Sequence, residues 1–306
     1  MLNLESCSVT VVIPTYNRVD QLIEALEKIS ACQPRPSEII VHIDGDDAVT
    51  EPAIAHLPNI KIIRSPSQVG PGGGRNRAIA EAKHEIVASF DDDSYPIDAD
   101  YFGRLLQLFD RFPDAAVIGA AIYHRNEAIA ADEPVAQWTA DFVGCGCAYR
   151  KSVFLQTTGY VQLPVAYDME EVDLSLRLHD LRWRILRSSW LRVFHDTILD
   201  HHLHPKITAA SISNRALLAY LRYPSKYWGF ALAQCLNRII WLVRHGRWAG
   251  IVQGIFAIPR LLQQYQQDRH PVSSQTLRSY LQLRQAPVDE WFALDLLSHT
   301  SHLLNS

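Results

Sequence analysis

The chain has 306 residues, 48% of them apolar and 20% charged, which is the composition of an ordinary globular protein able to bury a substantial core in one or two domains. Its net charge of -4 hides a split: residues 1–202 carry 18 Lys/Arg and 29 Asp/Glu, a net of -11, whereas residues 203–306 carry 11 and 4, a net of +7, so the basic part is expected to meet an anionic partner. No basic n-region precedes an apolar stretch and no apolar run reaches about 18 residues, so neither a signal peptide nor a spanning helix is expected. Cys7, Cys32, Cys145, Cys147 and Cys235 form an odd set without secretory signals, as suits reduced thiols in a cytosol. Cys145-Gly146-Cys147 has no second Cys pair to complete a metal site and reads as small buried residues.

In chain order, Val9–Ile13 is a β-branched strand ended by Pro14. Arg18–Ser30 follows with Leu22, Ile23, Leu26 and Ile29 on one helical face, and Asn17 is placed to cap it. Glu38–Ile43 and Ile60–Ile63 read as strands, and Gly74–Ala82 as a helix with Ala78, Ile79 and Ala82 inward. Ile86–Phe90 is a fourth strand, Ala99–Phe109 the next helix and Val117–Ile122 a further strand. Such alternation predicts an α/β fold, a mostly parallel sheet flanked by helices. From about residue 170 the pattern turns mainly helical. The expected division is a catalytic domain over 1–204 and a basic, Trp-containing helical appendage over 205–306.

Polar features gather where the strands end. They are Pro14-Thr15-Tyr16-Asn17-Arg18, Asp44-Gly45-Asp46-Asp47, Gly70-Pro71-Gly72-Gly73-Gly74-Arg75-Asn76 and Asp91-Asp92-Asp93. In an open α/β sheet, ligands bind beyond the carboxyl ends of the strands. An acid run is also what a solvated loop looks like; its position after the buried Ile86–Phe90 strand favours a site. Asp91 and Asp93 point to one side of an extended chain, and such a pair suits a hard divalent cation that also holds a phosphate. Asp44 can accept the imide N–H of uracil or thymine. The glycines permit positive φ and close backbone approach, and the helix they lead into favours anions. No Gly-Lys-Ser/Thr follows, so this is not a P-loop.

With Val9–Arg18, Gly74–Ala78, Phe90–Ser94 and Glu170–Arg177 in this order and spacing, the chain resembles a family 2 glycosyltransferase of the GT-A (Rossmann-like) fold, rhamnosyltransferase-like. The likeness spans roughly residues 9–196. It implies inverting transfer of a sugar from a nucleotide-diphosphate donor with Mg²⁺ or Mn²⁺. It assigns Pro14, Thr15 and Tyr16 to the loop beside base and ribose, Asp44 to the base, and Arg75 and Asn76 to the helix below the donor. Asp91 and Asp93 match the two acids of the DxD motif, with Asp92 the variable middle position beside the donor. His195 matches a histidine that approaches the metal or diphosphate, although a structural histidine fits there equally well. Glu170-Glu171 stands where the family has Glu-Asp, which makes Glu171 the implied base, with Asp173 the reserve candidate.

The residue types suit that chemistry. A cation offsets charge developing on the leaving diphosphate, and one positioned carboxylate takes the acceptor proton. A hydrolase would need two carboxylates across the bond. Glu170, Glu171 and Asp173 are also what a helix N-terminus attracts. His201, His202 and His204 read as a solvated loop rather than a metal cluster. Two other classes remain open: a sugar nucleotidyltransferase, whose glycines would directly follow strand one, and a non-catalytic nucleotide-sugar-binding module, which needs no base.

Residues 206–284 contain 11 basic residues and a single acid, Asp268, with Trp228, Trp241 and Trp248 among apolar positions. Basic, Trp-bearing amphipathic helices suit an anionic membrane surface. No nucleic-acid-binding module is recognisable, so nucleic acid is not an expected partner. The expected location is the cytoplasm, peripheral on the inner face of the cell membrane. The expected acceptor is a saccharide or lipid-linked hydroxyl in cell-surface polysaccharide or glycolipid synthesis.

Overall fold

A computed structural model describes residues 6–167, 169–197 and 204–291. Strands β1 (Ser6–Thr15), β2 (Arg35–Ile43), β3 (Ile60–Arg64) and β4 (Ile86–Phe90) alternate with helices α1 (Val19–Ser30), α2 (Thr50–Ile54) and α3 (Gly70–Glu81). Then come β5 (Ser94–Pro96), α4 (Tyr101–Arg111), β6 (Ala115–Tyr123), β7 (Val135–Thr139), β8 (Gly146–Arg150), α5 (Lys151–Phe154), α6 (Glu170–Asp180) and β9 (Arg184–His195). The last part holds α7 (Pro205–Arg222), α8 (Trp228–Arg244), α9 (Ile251–Gln264), α10 (Ser274–Gln285) and β10 (Val288–Trp291).

The strands form one ten-stranded sheet in the order β10-β7-β9-β6-β8-β4-β1-β2-β3, with β5 pairing β9 off this path. From the pairings, β1–β4, β6, β9 and β10 run one way and β5, β7 and β8 the other. The sheet is thus mixed but mostly parallel, as expected. β1, β2 and β4 are Val/Ile-rich because helices cover both faces and neither side of the strand meets water. On one face Leu22, Leu26 and Ile29 of α1 pack with Phe102, Leu105 and Leu108 of α4. On the other, Ala78 and Ile79 of α3 pack with Leu174 and Leu178 of α6. A third cluster joins Leu176 of α6 to Leu217 and Leu221 of α7 and to Leu277 and Tyr280 of α10.

Several expectations are corrected. Asn17 is not the cap of α1: its φ is +54° and its backbone N–H donates to Asp47 Oδ2 at 2.7 Å, while Arg18 takes the cap position. The glycines are not a loop before a helix, because α3 already begins at Gly70. Of those four glycines only Gly70 has positive φ, +71°. At Gly74 the reason for glycine is close approach to the sheet, since a Cβ there would lie 2.6 Å from His42 Nδ1 and 3.0 Å from Pro14 Cβ. The chain beyond residue 170 is not purely helical: β9 is twelve residues long, and its outward Arg184 and Arg187 interrupt the apolar run that marks a strand. β10 returns to the sheet beside β7. All five cysteines are free thiols. Among the described residues no helix is long and apolar enough to cross a membrane.

Candidate active site

β1, β2 and β4 run side by side and end together, so their polar termini converge. Pro14, Thr15, Tyr16, Arg18, Asp44, Gly70, Pro71, Asp91 and Asp92 line a cavity of about 240 Å³. Thr15 Oγ1 donates to Asp92 Oδ2 at 2.8 Å and ties the end of β1 to the acid loop. Tyr16 is exposed, and its hydroxyl donates to Asp46 at 3.0 Å. Asp44 is buried and accepts from the backbone N–H groups of Val69 and Gly70 at 2.8 and 2.9 Å. One β2 carboxylate therefore anchors the start of α3 as well as lining the cavity. A larger cavity, about 490 Å³, lies behind α6 around Arg177, Arg222 and Tyr265 and contains none of the three acids of the 91–93 run.

Each of those acids has a cationic neighbour. Asp91 pairs with the buried Arg75. Arg18, which the sequence reading quotes but gives no role, spans Asp92 at 2.8 Å and Asp93 at 2.6 Å. His195 Nε2, at the end of β9, lies 3.1 Å from Asp93 and 3.9 Å from Asp91. Burial pushes Asp93 up, but His195 and Arg18 outweigh it and hold the carboxyl down at about 2. At Asp92 burial prevails over Arg18 and lifts the carboxyl to about 7. Burial lowers His195, and the Asp93 and Asp91 carboxylates more than reverse this, so the imidazole is raised overall.

Of the metal-type residues expected from the sequence, Asp91 and Asp93 each approach His195 Nε2, at 3.9 and 3.1 Å. Asp93 Oδ1 is buried without an aligned hydrogen-bond donor, despite the nearby imidazole, and a buried acceptor of this kind calls for a partner. Oxygen and imidazole ligands fit a divalent cation. The thiol of Cys145 is a neighbour that the sequence reading does not place there.

Arg75 links this cluster to the helix that follows. Its Nε donates to Ser89 Oγ at 2.8 Å, and its Nη2 reaches both Asp91 and the Gly144 carbonyl. A Cβ at Gly144 would sit 2.8 Å from Glu171 Oε1 and 3.4 Å from Arg75 Cζ, so Glu171 lies in the neighbourhood of the same guanidinium. Burial raises the Glu171 carboxyl and Arg75 partly offsets the rise. Glu170 beside it is more buried; burial first and then the Glu171 charge raise it to about 8.

Two expected site residues serve elsewhere. The Asn76 side chain is engaged by the backbone of Tyr160, accepting from N–H at 2.7 Å and donating to C=O at 2.9 Å. Asp173 is fully buried and clamped by Arg177 Nη2 at 2.6 Å and Arg222 Nε at 2.6 Å. With its oxygens on two guanidiniums, it is a poor acceptor for a substrate proton. It joins α6 to α7 instead. His204 caps α7, its Nδ1 accepting from Lys206 N–H at 3.2 Å; His201 and His202 lie outside the described residues.

A mostly parallel sheet with acids, a glycine-rich helix start and a histidine at its strand ends is a GT-A glycosyltransferase architecture, and solved structures agree. A Pyrobaculum calidifontis mannosyltransferase, solved with GDP-Man and Mn²⁺, matches 92% of this chain and 88% of its own at 14% identity, with a TM-score of 0.57. Residues 1–349 of S. aureus TarS, solved with UDP-GlcNAc, match 91% of each chain at 15% identity, with a TM-score of 0.55. Residues 10–135 match the model of glycosyl transferase family 2. Among curated relatives, it is 27% identical over 173 residues to the O-antigen chain rhamnosyltransferase RfbN of Salmonella typhimurium, covering 50% of this chain and 55% of that protein. It is 29% identical over 104 residues to the succinoglycan biosynthesis protein ExoO of Rhizobium meliloti, covering 33% of this chain and 30% of that one. The matched stretches therefore span from about a third to about half the length of these relatives.

Proposed function

We propose that this chain transfers a sugar from a nucleotide-diphosphate sugar to an acceptor hydroxyl with inversion, in the synthesis of a cell-surface polysaccharide or glycolipid. The observation that carries this reading is that the buried Arg75 pairs with Asp91 and also lies close enough to Glu171 to act on its charge, which sets a metal-type acid and a base-type acid near one guanidinium. The β1–β2–α3 cavity receives the nucleoside, with Asp44 and Tyr16 on its wall. Mg²⁺ or Mn²⁺ held by Asp91, Asp93 and His195 would supply charge to offset the leaving diphosphate. Glu171 accepts the proton of the attacking hydroxyl, and its raised carboxyl brings the base closer to neutral pH. Arg75 holds Asp91 in place and offsets part of the rise that burial imposes on Glu171. Asp173 and Asn76 support the fold around them. The O-antigen chain rhamnosyltransferase and succinoglycan biosynthesis names of the curated relatives support a polysaccharide acceptor.

The same reading places the protein on an anionic membrane surface through α8 and α9. Trp228, Leu232, Leu236 and Ile240 recur every four residues along α8 and are between 46% and 61% exposed, one apolar stripe aimed away from the domain. On α9, Val252, Ile255 and Phe256 are exposed, Phe256 to 79%. With 11 basic residues against one acid over 206–284, a second copy of this surface would repel it, whereas anionic headgroups would complement it.

The direct test is thermal stabilisation. UDP-, dTDP- and GDP-sugars are screened with and without Mn²⁺, because a ligand bound to the native state raises apparent stability by mass action. One nucleotide class should raise Tm only when Mn²⁺ is present and should then support transfer. Stabilisation without turnover on any acceptor would leave a binding module.

A further inference from the structure

We propose that Arg18 is a ligand of the donor's diphosphate, a guanidinium held on Asp92 and Asp93 until a cation and a nucleotide enter. This rests on the reading that the β1–β2–α3 cavity receives a nucleotide-diphosphate sugar and that the acids beside it hold a cation. Arg18 lies on the wall of that cavity together with Asp91 and Asp92. Its Nη1 meets Asp92 Oδ1 at 2.8 Å and its Nη2 meets Asp93 Oδ2 at 2.6 Å. The Arg18 side chain is 41% exposed, whereas those of Asp92 and Asp93 are 7% and 2% exposed. The guanidinium therefore lies over two buried acids with part of its surface open to solvent.

The two arginines of the cluster are held in different ways. Arg75 has a side chain only 4% exposed, and besides Asp91 it is fixed by Ser89 Oγ at 2.8 Å and by the Gly144 carbonyl at 3.2 Å. Among the described residues, the Arg18 side chain hydrogen-bonds to the two carboxylates alone. An ion pair at a half-exposed guanidinium is weakened by water and salt, so Arg18 is the one of the two that can change partners.

A guanidinium suits a diphosphate because its planar fork donates parallel N–H bonds to phosphate oxygens. Withdrawing it from Asp93 would leave a buried carboxylate short of counter-charge, and a divalent cation on that acid supplies the deficit. Nη2 is then released towards the donor, while Nη1 can stay on Asp92 and keep the fork at the cavity wall. Cation and donor are thereby taken up together, with Arg18 as the group passed from acid to phosphate.

The test measures two affinities of the whole chain, which this proposal moves in opposite directions. The first is for Mn²⁺ alone, read by the loss of the free-ion paramagnetic resonance signal. The second is for UDP, dTDP or GDP, whichever binds the wild type, read by calorimetry at saturating Mn²⁺. In Arg18→Gln, Mn²⁺ alone should bind more tightly, because a positive charge beside the acids is gone. The nucleoside diphosphate should bind about 10–100-fold more weakly, the size of a lost hydrogen bond to a charged group. Arg18→Lys keeps the counter-charge on the acids but lacks the fork, and its diphosphate affinity should fall between wild type and Arg18→Gln. Weaker binding of Mn²⁺ as well as diphosphate in both variants would make Arg18 a prop of the acid loop. Diphosphate affinity equal to wild type in both would leave it a counter-ion only. A wild type that binds Mn²⁺ but none of the three diphosphates would overturn the nucleotide reading, and one that binds no Mn²⁺ the cation reading, and this proposal with either.

Discussion

At the sheet edge the unusual groups are charges, and the protein supplies a counter-charge to each. Asp91 has Arg75, Asp92 and Asp93 share Arg18, and Asp93 also meets His195. On α8 and α9 the unusual groups are apolar, and Trp228, Leu232, Leu236, Ile240 and Phe256 are left facing solvent. Preorganised charge in a partly dry crevice is suited to a small ionic ligand whose own charge changes during reaction. An apolar stripe flanked by arginines stays incomplete until a surface covers it. Between the two regions, Asp173 ties α6 to Arg222 of α7.

The comparison is tested most severely at Asp93. Asp93→Ala removes one carboxylate of the cluster and should abolish Mn²⁺-dependent donor binding, dropping transfer by about 10³-fold or more if the cation contributes several kcal/mol. Calorimetry with unchanged donor affinity in the presence of Mn²⁺ would sink the metal assignment. Glu171→Gln should come next, with donor binding retained and transfer lowered about 10²–10⁴-fold. Asp173→Asn separates structure from chemistry on the same helix. It breaks a buried pair and should cost about 3–5 kcal/mol of stability, visible in a denaturant midpoint. If Glu171→Gln transfers normally while Asp173→Asn is folded and inactive, the base is Asp173.

Smaller effects sharpen the other side. Leu236→Glu on the α8 stripe should weaken sedimentation with anionic vesicles while leaving transfer to a soluble acceptor unchanged. Neutralising Arg244 should cost about 1 kcal/mol, or roughly fivefold in partitioning, and only at low salt. Equal partitioning of the wild type between anionic and neutral vesicles would leave these helices without an electrostatic membrane role. The mildest expectation concerns pH. Glu170 rises from 4.5 unfolded to about 8 folded, so the folded state binds the extra proton. Its contribution to stability is complete below 4.5 and is lost as pH rises through about 8. Tm should therefore decline over that window, and Glu170→Gln should flatten the decline. An identical slope in wild type and variant would remove Glu170 as its source.

What the sequence determined by itself was local. Ile86–Phe90 is buried whatever surrounds it, so Asp91–Asp93 had to emerge at a strand end. The same logic located β1, β2 and α1, because short-range periodicity encodes which face a segment buries. What tertiary structure decided was which partner each polar group met. Asn76 found the Tyr160 backbone 84 positions away, and Asp173 found Arg222 at a separation of 49. Cys145 lies beside His195, 50 positions on, because β8 pairs with β6 and β6 with β9. No periodicity reports such pairings. A carboxylate, amide or thiol on a given face is equally ready to bind a ligand, a backbone or a guanidinium, and only the chain packed against it settles which.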